Sequence, residues 1–161
     1  MSIRFDKVSF TYPGKAELVL DALDMEVKRG EKVFLKGISG IGKTTLTDLV
    51  IGLLEPLSGE ITVDGKPMQD VVHPWQRCIG YVPQKVLLFH DTIRENILLG
   101  RKGYTDEQIW EALETAQIAD EVRKLPKGLD EVYGGDGFRF SGGQQQRLGI
   151  ARGILGSPEV L

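Results

Sequence analysis

The sequence predicts an α/β fold in which short strands precede a glycine-rich loop and a set of helices. Two strand-like patterns open the chain, at residues 3–10 and 19–27. A glycine-rich loop, residues 37–44, then joins a short apolar run to a helical pattern. Beyond residue 85 the apolar side chains recur three and four positions apart, as in helices. With 161 residues, 41% of them hydrophobic, the chain can bury one core and form one domain.

The strands are predicted from alternation and from turn residues. In residues 19–27 apolar and charged side chains alternate, which predicts a strand with one buried face. Glu60–Val63 and Lys66–Met68 flank Asp64-Gly65, a pattern that predicts a hairpin around a D-G turn. Ile79–Val82 is predicted to be a further strand.

The loop at Gly37–Thr44 reads GISGIGKT and fits the P-loop pattern G-x-x-x-x-G-K-[ST]. Before it, Lys32–Lys36 is an apolar run bounded by charge, which predicts a buried parallel strand. After it, Leu46, Leu49 and Val50 fall on one face of a predicted helix. A glycine-rich turn that only caps a helix is the alternative interpretation.

The chemistry of this loop points to a nucleoside triphosphate. Glycines let the backbone approach an anion, and successive amides together with the helix start attract phosphate oxygens. We expect Lys43 to reach the β- and γ-phosphates, the Thr44 hydroxyl to ligate Mg²⁺, and Thr45 to donate to the α-phosphate. The predicted phosphate-binding residues are Gly37, Ser39, Gly40, Ile41, Gly42, Lys43, Thr44 and Thr45.

Three capping-box patterns predict helix starts in the second half of the chain. They are Thr92–Glu95, Thr105–Gln108 and Ser141–Gln144. The first helix is predicted to run to about Leu99, and the last is predicted to stop at Gly156. The predicted buried stripe of the middle helix consists of Ile109, Ala112, Leu113 and Ala116. One or two further turns are predicted at residues 119–124, and Glu159–Leu161 has the pattern of a strand start.

Composition excludes several classes of protein. Net charge is −3, from 20 basic and 23 acidic residues without a basic stripe, which argues against a nucleic-acid partner. The single cysteine, Cys78, cannot form an internal disulfide, which is typical of a reducing compartment. The longest apolar run, Leu49–Leu54, is far shorter than a membrane span, and no signal-peptide core follows Met1.

A second glycine-rich motif, Phe140–Arg147, reads FSGGQQQR. With the P-loop upstream of it, the chain resembles the nucleotide-binding domain of ATP-binding-cassette (ABC) transporters over essentially its whole length. The resemblance implies a P-loop NTPase (RecA-like) core with an N-terminal antiparallel β-subdomain and an inserted α-helical subdomain. It implies the β-subdomain and P-loop core in residues 1–84, the helical subdomain in 85–140, and the signature helix with the start of a Walker B strand in 141–161.

The resemblance also implies roles for individual residues. Tyr12 matches the aromatic residue that stacks on adenine, although by itself it is equally an ordinary tyrosine at a strand end. Gln84 matches the Q-loop glutamine, whose amide oxygen completes the Mg²⁺ shell and positions the attacking water. The signature residues are implied to contact ATP held by a second cassette in a head-to-tail dimer, besides capping their own helix. Those residues are Ser141, Gly142, Gly143 and Gln144.

Asp91–Ile97 reads DTIRENI and is similar to exporter-type cassettes, in which this region grips the coupling helices of transmembrane domains. The resemblance therefore implies ATP-driven export from the cytoplasmic face of the membrane. Gly135 stands where the exporter stretch VGERG has a glutamate, with Asp136 beside it, so the contact to the opposite coupling helix is left open. A soluble ABC ATPase of DNA repair or translation is one alternative, and an ordinary P-loop kinase or GTPase, in which the Ser141 motif has no role, is another.

The residues that complete hydrolysis in this family do not occur in the sequence. The Walker B strand would begin at about Glu159 and end in an aspartate followed by a catalytic glutamate, a D-loop and a switch histidine. We expect the sequence to be an N-terminal piece of a complete cassette, with the C-terminal part of the core missing. A natural short protein that binds nucleotide without turnover is the alternative, and the sequence leaves open whether the chain is an ATPase.

Overall fold

The computed structural model describes residues 1–134 and 139–161. The chain divides into two compact units, Met1–Arg77 and Cys78–Leu161. Gly135 and Asp136, where the sequence departs from the exporter stretch VGERG, lie outside the described residues. The finer boundaries predicted after residues 84 and 140 stay predictions.

The first unit is built on a four-stranded antiparallel sheet with strand order β2-β1-β3-β4. The strands are β1 Ser2–Phe10, β2 Leu20–Lys28, β3 Ser58–Val63 and β4 Lys66–Pro67. In the central strand, Phe5 lies opposite Met25 on one side and Ile61 on the other. The predicted antiparallel β-subdomain is confirmed, with Phe5 fully buried at its centre. The alternation predicted for residues 19–27 is also present in β2, where Leu23, Met25 and Val27 are half-buried between exposed charged residues.

Two helices complete the first unit, α1 Lys43–Ile51 and α2 Met68–Arg77. Helix α1 buries Leu46 and Leu49, as predicted, and the hairpin turn has positive φ at Asp64 and Gly65. Helix α2 was not predicted, because Pro74 inside it weakens the helical signal. Trp75 fixes α2 against α1, since its indole nitrogen donates to the carbonyl of Val50 at 2.6 Å.

Two predicted strands do not form among the described residues. Residues 32–36 belong to no strand, and Phe34 in their centre is 90% exposed. Of residues 79–82 only Ile79 pairs, in an isolated parallel bridge to Val160. A buried parallel strand needs a hydrogen-bonded neighbour on each side, and no described strand pairs with these segments along their length. The predicted strand start at 159–161 is likewise reduced to that one bridge.

The second unit is helical. Its helices are α3 Ile93–Leu98, α4 Asp106–Thr115, α5 Ala119–Arg123 and α6 Gly142–Ile154, with a 3₁₀ turn at Gly128–Asp130. The predicted capping boxes of α4 and α6 are both present. The box predicted at Thr92–Glu95 is only half formed, since the Thr92 hydroxyl accepts from the amide of Glu95 without the reciprocal bond. The predicted stripe of α4 is buried in one cluster with residues of α3, α5 and α6. Among the described residues no helix is both long and apolar enough to cross a lipid bilayer.

Arg94 ties three elements of this unit together. Its guanidinium pairs with Asp106 at the start of α4 and with Asp130 of the 3₁₀ turn, at 3.0 Å in the second pair. These hydrogen bonds raise the pKa of Arg94, and the hydrogen bond from Arg94 lowers the pKa of Asp106 below the usual value for an aspartate. The ion pairs are exposed, so they orient the elements more than they stabilise them.

Candidate nucleotide-binding site

The phosphate loop enters helix α1 through a backbone conformation that only glycine adopts easily. Gly42 is the N-cap residue of α1 and has φ 101°. A Cβ built there would lie 2.8 Å from Val19 Cγ1 and 3.3 Å from the Val19 carbonyl oxygen. A side chain at this position would therefore be strained twice, by φ and by contact with the neighbouring strand region. Gly40 also has positive φ, 83°, but open space around it.

Lys43 folds back over the loop that precedes it. Its ammonium donates to the carbonyl oxygens of Gly37, at 2.9 Å, and of Ile38, at 2.7 Å. An ammonium has three N–H donors, and these two bonds leave one donor for an anion above the loop. The side chain thus closes the ring of backbone around the point where phosphate oxygens are predicted to lie.

The N-terminus of α1 is not satisfied by any side chain of its own. Gly42 offers no side-chain cap, and the first turn contains no acidic residue. The first backbone bond of the helix is that from Leu46 to the carbonyl of Gly42, at 2.8 Å. The amides ahead of it have no intrahelical acceptor and lie at the positive end of the helix dipole, an arrangement that can bind an anion.

Tyr12 and Thr45 meet beside this loop. Thr45 is 4% exposed, and its hydroxyl lies 2.9 Å from the hydroxyl of the exposed Tyr12. Tyr12 is held edge-on against Phe10, with ring centroids 5.1 Å apart. Thr44, in contrast, is exposed at the surface of the first turn. The structure thus brings the predicted adenine-stacking residue together with the predicted α-phosphate ligand, which sequence spacing did not indicate.

The signature residues form a capped and exposed start of α6. The Ser141 hydroxyl accepts from the amide of Gln144 at 3.4 Å, and the Gln144 side chain accepts from the amide of Ser141 at 2.9 Å. A Cβ added at Gly142 or Gly143 would meet nothing within 4 Å. Packing among residues 1–134 and 139–161 therefore does not require glycine at either position.

Gln84 and the DTIRENI segment lie in the second unit. The Gln84 side chain is exposed. Asn96 is only 2% exposed and shapes the loop before α3: it accepts from the amide of Phe89 at 2.7 Å and donates to the carbonyls of Phe89, Asp91 and Thr92. The side chains of Leu87 and Phe89 remain exposed on this loop. Asn96 thus fixes the loop on which these two apolar side chains are exposed.

No group of three or more His, Cys, Asp or Glu residues able to hold a metal ion occurs in residues 1–134 and 139–161. Such a group is not needed for Mg²⁺ at a nucleotide, since that ion is usually held by one or two protein oxygens and the phosphates. The exposed Thr44 hydroxyl, next to Lys43 at the helix start, fits that requirement.

The comparisons with known proteins agree with this geometry. The family model described as ABC transporter matches residues 20–161. The chain belongs to the ABC transporter family. Its relatives within the family are exporter-like, and the chain is a nucleotide-binding domain of this kind.

Individual relatives cover almost all of the chain. The uncharacterised ABC transporter ATP-binding protein YfiB of Bacillus subtilis is 42% identical over 99% of this chain and 28% of that protein. The ATP-dependent lipid A-core flippase of Chromobacterium violaceum is also 42% identical, over 99% of this chain and 27% of that protein. The solved structure of a bacterial Atm1-family ABC exporter with ATP bound matches with a TM-score of 0.86 and 38% identity. It covers 98% of this chain and 27% of that one, so this chain spans little more than a quarter of such proteins.

The Atm1-family match confirms the predicted α/β P-loop NTPase fold.

Sequence reasoning missed how Gln84 is supported: Gln146 and Arg152 contact the backbone on either side of it. The available signal was the pair Gly149 and Gly153, since two glycines four positions apart on a helix favour a close backbone neighbour.

Proposed function

We propose that this chain binds ATP with Mg²⁺ and, paired with a second cassette, powers export of a substrate across a membrane. The observation that carries the proposal is the start of α1, where an uncapped helix on Gly42 lies beneath the Lys43 ammonium. A backbone that leaves its amides unsatisfied and encloses them with one cation is built for a polyphosphate.

Different residues would bind the phosphates, the base and the Mg²⁺ ion of the nucleotide. The amides of Gly37–Thr45 and the Lys43 ammonium would hold the β- and γ-phosphates, and the Thr45 hydroxyl the α-phosphate. The exposed ring of Tyr12 would stack on the base, since its hydroxyl already ties it to Thr45. Thr44 and Gln84 would supply oxygen ligands to Mg²⁺, which neutralises phosphate charge when bound.

The signature residues would complete the site of a partner cassette. Gly142 and Gly143 leave open space at an exposed helix start, since in the described part of the chain a Cβ at either position would meet no atom within 4 Å. Close approach of a phosphate from a second molecule gives that open space a use. Ser141 and Gln144 would face the same nucleotide from the helix cap.

In hydrolysis, Gln84 would orient the attacking water, because an exposed carboxamide can accept a hydrogen bond from it and donate another to a phosphate oxygen. The role of general base is assigned to no residue of this chain. The loop that Asn96 fixes, with exposed Leu87 and Phe89, would contact the coupling helices of a transmembrane domain at the cytoplasmic face of the membrane.

Calorimetric titration of the full-length gene product with MgATP tests the proposal. Replacing Lys43 by alanine removes the cation above the loop, so we expect binding to weaken by about tenfold or more. Lys32→Ala is the matched control, since Lys32 is an exposed lysine outside the loop, and it should bind like the unaltered protein. Absence of binding heat in the unaltered protein, or equal affinities of both variants, would contradict the proposal.

A further inference from the structure

The segment that carries Gln84 is attached to the signature helix on both sides of the glutamine. The Gln146 carboxamide donates to the carbonyl of Pro83 at 3.3 Å. The Arg152 guanidinium donates to the carbonyl of Leu87 at 3.1 Å. Both donors lie on α6, so two hydrogen bonds from one helix bracket Gln84.

Between these bonds the backbone of α6 lies directly against the same segment. A Cβ at Gly149 would lie 2.3 Å from Val86 Cγ2, and one at Gly153 would lie 2.7 Å from Val82 Cγ2. Val86 is buried in this contact. A side chain at either glycine would push the segment away from the helix, so glycine here is needed by the chain's own packing.

Arg152 also joins this segment to α3. Its Nε donates to the carbonyl of Asn96 at 2.8 Å, and Arg101 donates to the carbonyl of Arg152 at 2.9 Å. Partial burial lowers the pKa of Arg152, yet a guanidinium remains charged at any physiological pH. One cation therefore holds the end of the Gln84 segment, the end of α3 and the body of α6 together.

Gln84 itself is exposed, and in the described parts of the chain its side chain has no hydrogen-bond partner. Its position is therefore set by its flanks and not by its own contacts. Helix α6 has 13 residues and begins at the Ser141 cap, so a shift of the signature end is transmitted along a rigid rod to Gln146 and Arg152.

We propose that Gln146, Gly149 and Arg152 are positioning residues for Gln84, so that the signature helix carries the glutamine with it. The inference rests on the proposed function, because Gln84 is there assigned to orient the water. Engagement of Ser141 with a nucleotide on the partner cassette and alignment of Gln84 are then one movement. Hydrolysis is coupled to pairing through these three residues of α6.

Limited trypsin digestion of the full-length gene product tests the attachment. Lys85 lies within the segment, and its side chain is exposed. Because trypsin must bind the backbone around this lysine, cleavage after Lys85 requires the segment to leave α6. Gln146→Ala removes one of the two bracketing bonds, and we expect cleavage after Lys85, followed by mass spectrometry, to become about fivefold faster. Gln145→Ala is the matched control, because the neighbouring carboxamide bonds to Phe140 of its own helix start, at 2.9 Å. Equal cleavage rates in the two variants would overturn the proposal.

Steady-state hydrolysis tests whether the residue acts through Gln84. We expect Gln146→Ala to lower kcat about fivefold and to leave KM for ATP within about twofold. In a Gln84→Ala background the same change should have no further effect on kcat, since there is no glutamine left to position. An equal fall in both backgrounds would overturn the proposal in favour of a general role in helix stability.

Gly149→Ala is a second variant that removes no hydrogen bond and displaces Val86 directly. It should reproduce faster cleavage after Lys85, while cleavage after the distant Lys124 stays unchanged, and a uniform rise at both sites would count against the proposal. Unaltered hydrolysis in Gln84→Ala would overturn the role of Gln84 and this inference with it. The proposed nucleotide binding would then still be judged separately by the Lys43→Ala titration.

Discussion

Two helices of this chain begin next to glycines, and they begin in opposite ways. Helix α1 starts at Gly42, with positive φ, no side-chain cap and no acid in its first turn. Helix α6 starts at Ser141, with a reciprocal capping box to Gln144. At α1 the glycine is forced by backbone and by contact with Val19, whereas Gly142 of α6 lies in open space.

The difference teaches where each helix start finds its hydrogen-bond partners. The start of α1 has no side-chain cap, so the proposed ligand would have to supply the acceptor for its amides. The start of α6 satisfies its amides internally and is stable without any ligand. Under the proposed function, the self-capped start of α6 is presented to another molecule, whereas the uncapped start of α1 binds a ligand of its own unit.

The largest effect is expected from Gly42→Ala. Positive φ and the contact with Val19 should together lower the free energy of unfolding of the first unit by about 3 kcal/mol and abolish MgATP binding. Urea denaturation of the chain is followed by Trp75 fluorescence in a Trp110→Phe background, so that the reporter lies in the first unit. Gly30→Ala is the control for φ alone, since Gly30 likewise has positive φ, 83°, but open space around it, and the change should cost only about 1 kcal/mol. Equal losses in the two variants would remove the role of the Val19 contact.

The same substitution in the other helix, Gly142→Ala, should separate stability from activity. Alanine favours a helix over glycine, so the second unit should gain about 0.5 kcal/mol, whereas hydrolysis by the full-length gene product should fall about tenfold. Denaturation followed by Trp110 fluorescence in a Trp75→Phe background, together with a phosphate-release assay, checks both. Full hydrolytic activity would argue that the open space at Gly142 serves no ligand.

The smallest effects on stability are expected from replacing Ser141, which caps α6, and Ser39, which lies in the loop before α1. Ser141→Ala removes a cap and should lower the stability of the second unit by about 1 kcal/mol. Ser39→Ala should leave the first unit unchanged within about 0.3 kcal/mol, because the exposed Ser39 caps no helix. The two tryptophan reporters described above measure each change in its own unit. A loss at Ser39 as large as at Ser141 would contradict the distinction between a ligand-dependent and a self-capped helix start.

Sequence reasoning succeeded where the deciding interactions are local. The capping boxes at Thr105 and Ser141 connect residues three positions apart, and the Asp64-Gly65 turn is set by its own two residues. The loop before α1 is similarly local, since the Lys43 ammonium donates to carbonyls six and five positions before it, while its role in phosphate binding stays a prediction. Such features depend on residues that are close together in the sequence, so the sequence alone predicts them.

Prediction failed where a distant partner decides. Residues 32–36 have the composition of a buried strand, but strand formation requires neighbouring strands, and composition does not supply them. The contacts of Gln146 with Pro83 and of Arg152 with Leu87 join residues 63 and 65 positions apart. Glycine spacing on α6 indicates that something approaches closely, but only the folded chain identifies the Gln84 segment as that neighbour.

The hydrogen bond between the hydroxyls of Tyr12 and Thr45 would respond to a bound phosphate. Either oxygen can be the donor in the isolated pair. A phosphate that accepts the hydrogen of Thr45 leaves only one arrangement, with the phenol giving its own hydrogen to the threonine. The direction of the Tyr12–Thr45 hydrogen bond would therefore depend on whether the ligand carries a phosphate. A nucleoside without phosphates would leave both directions possible.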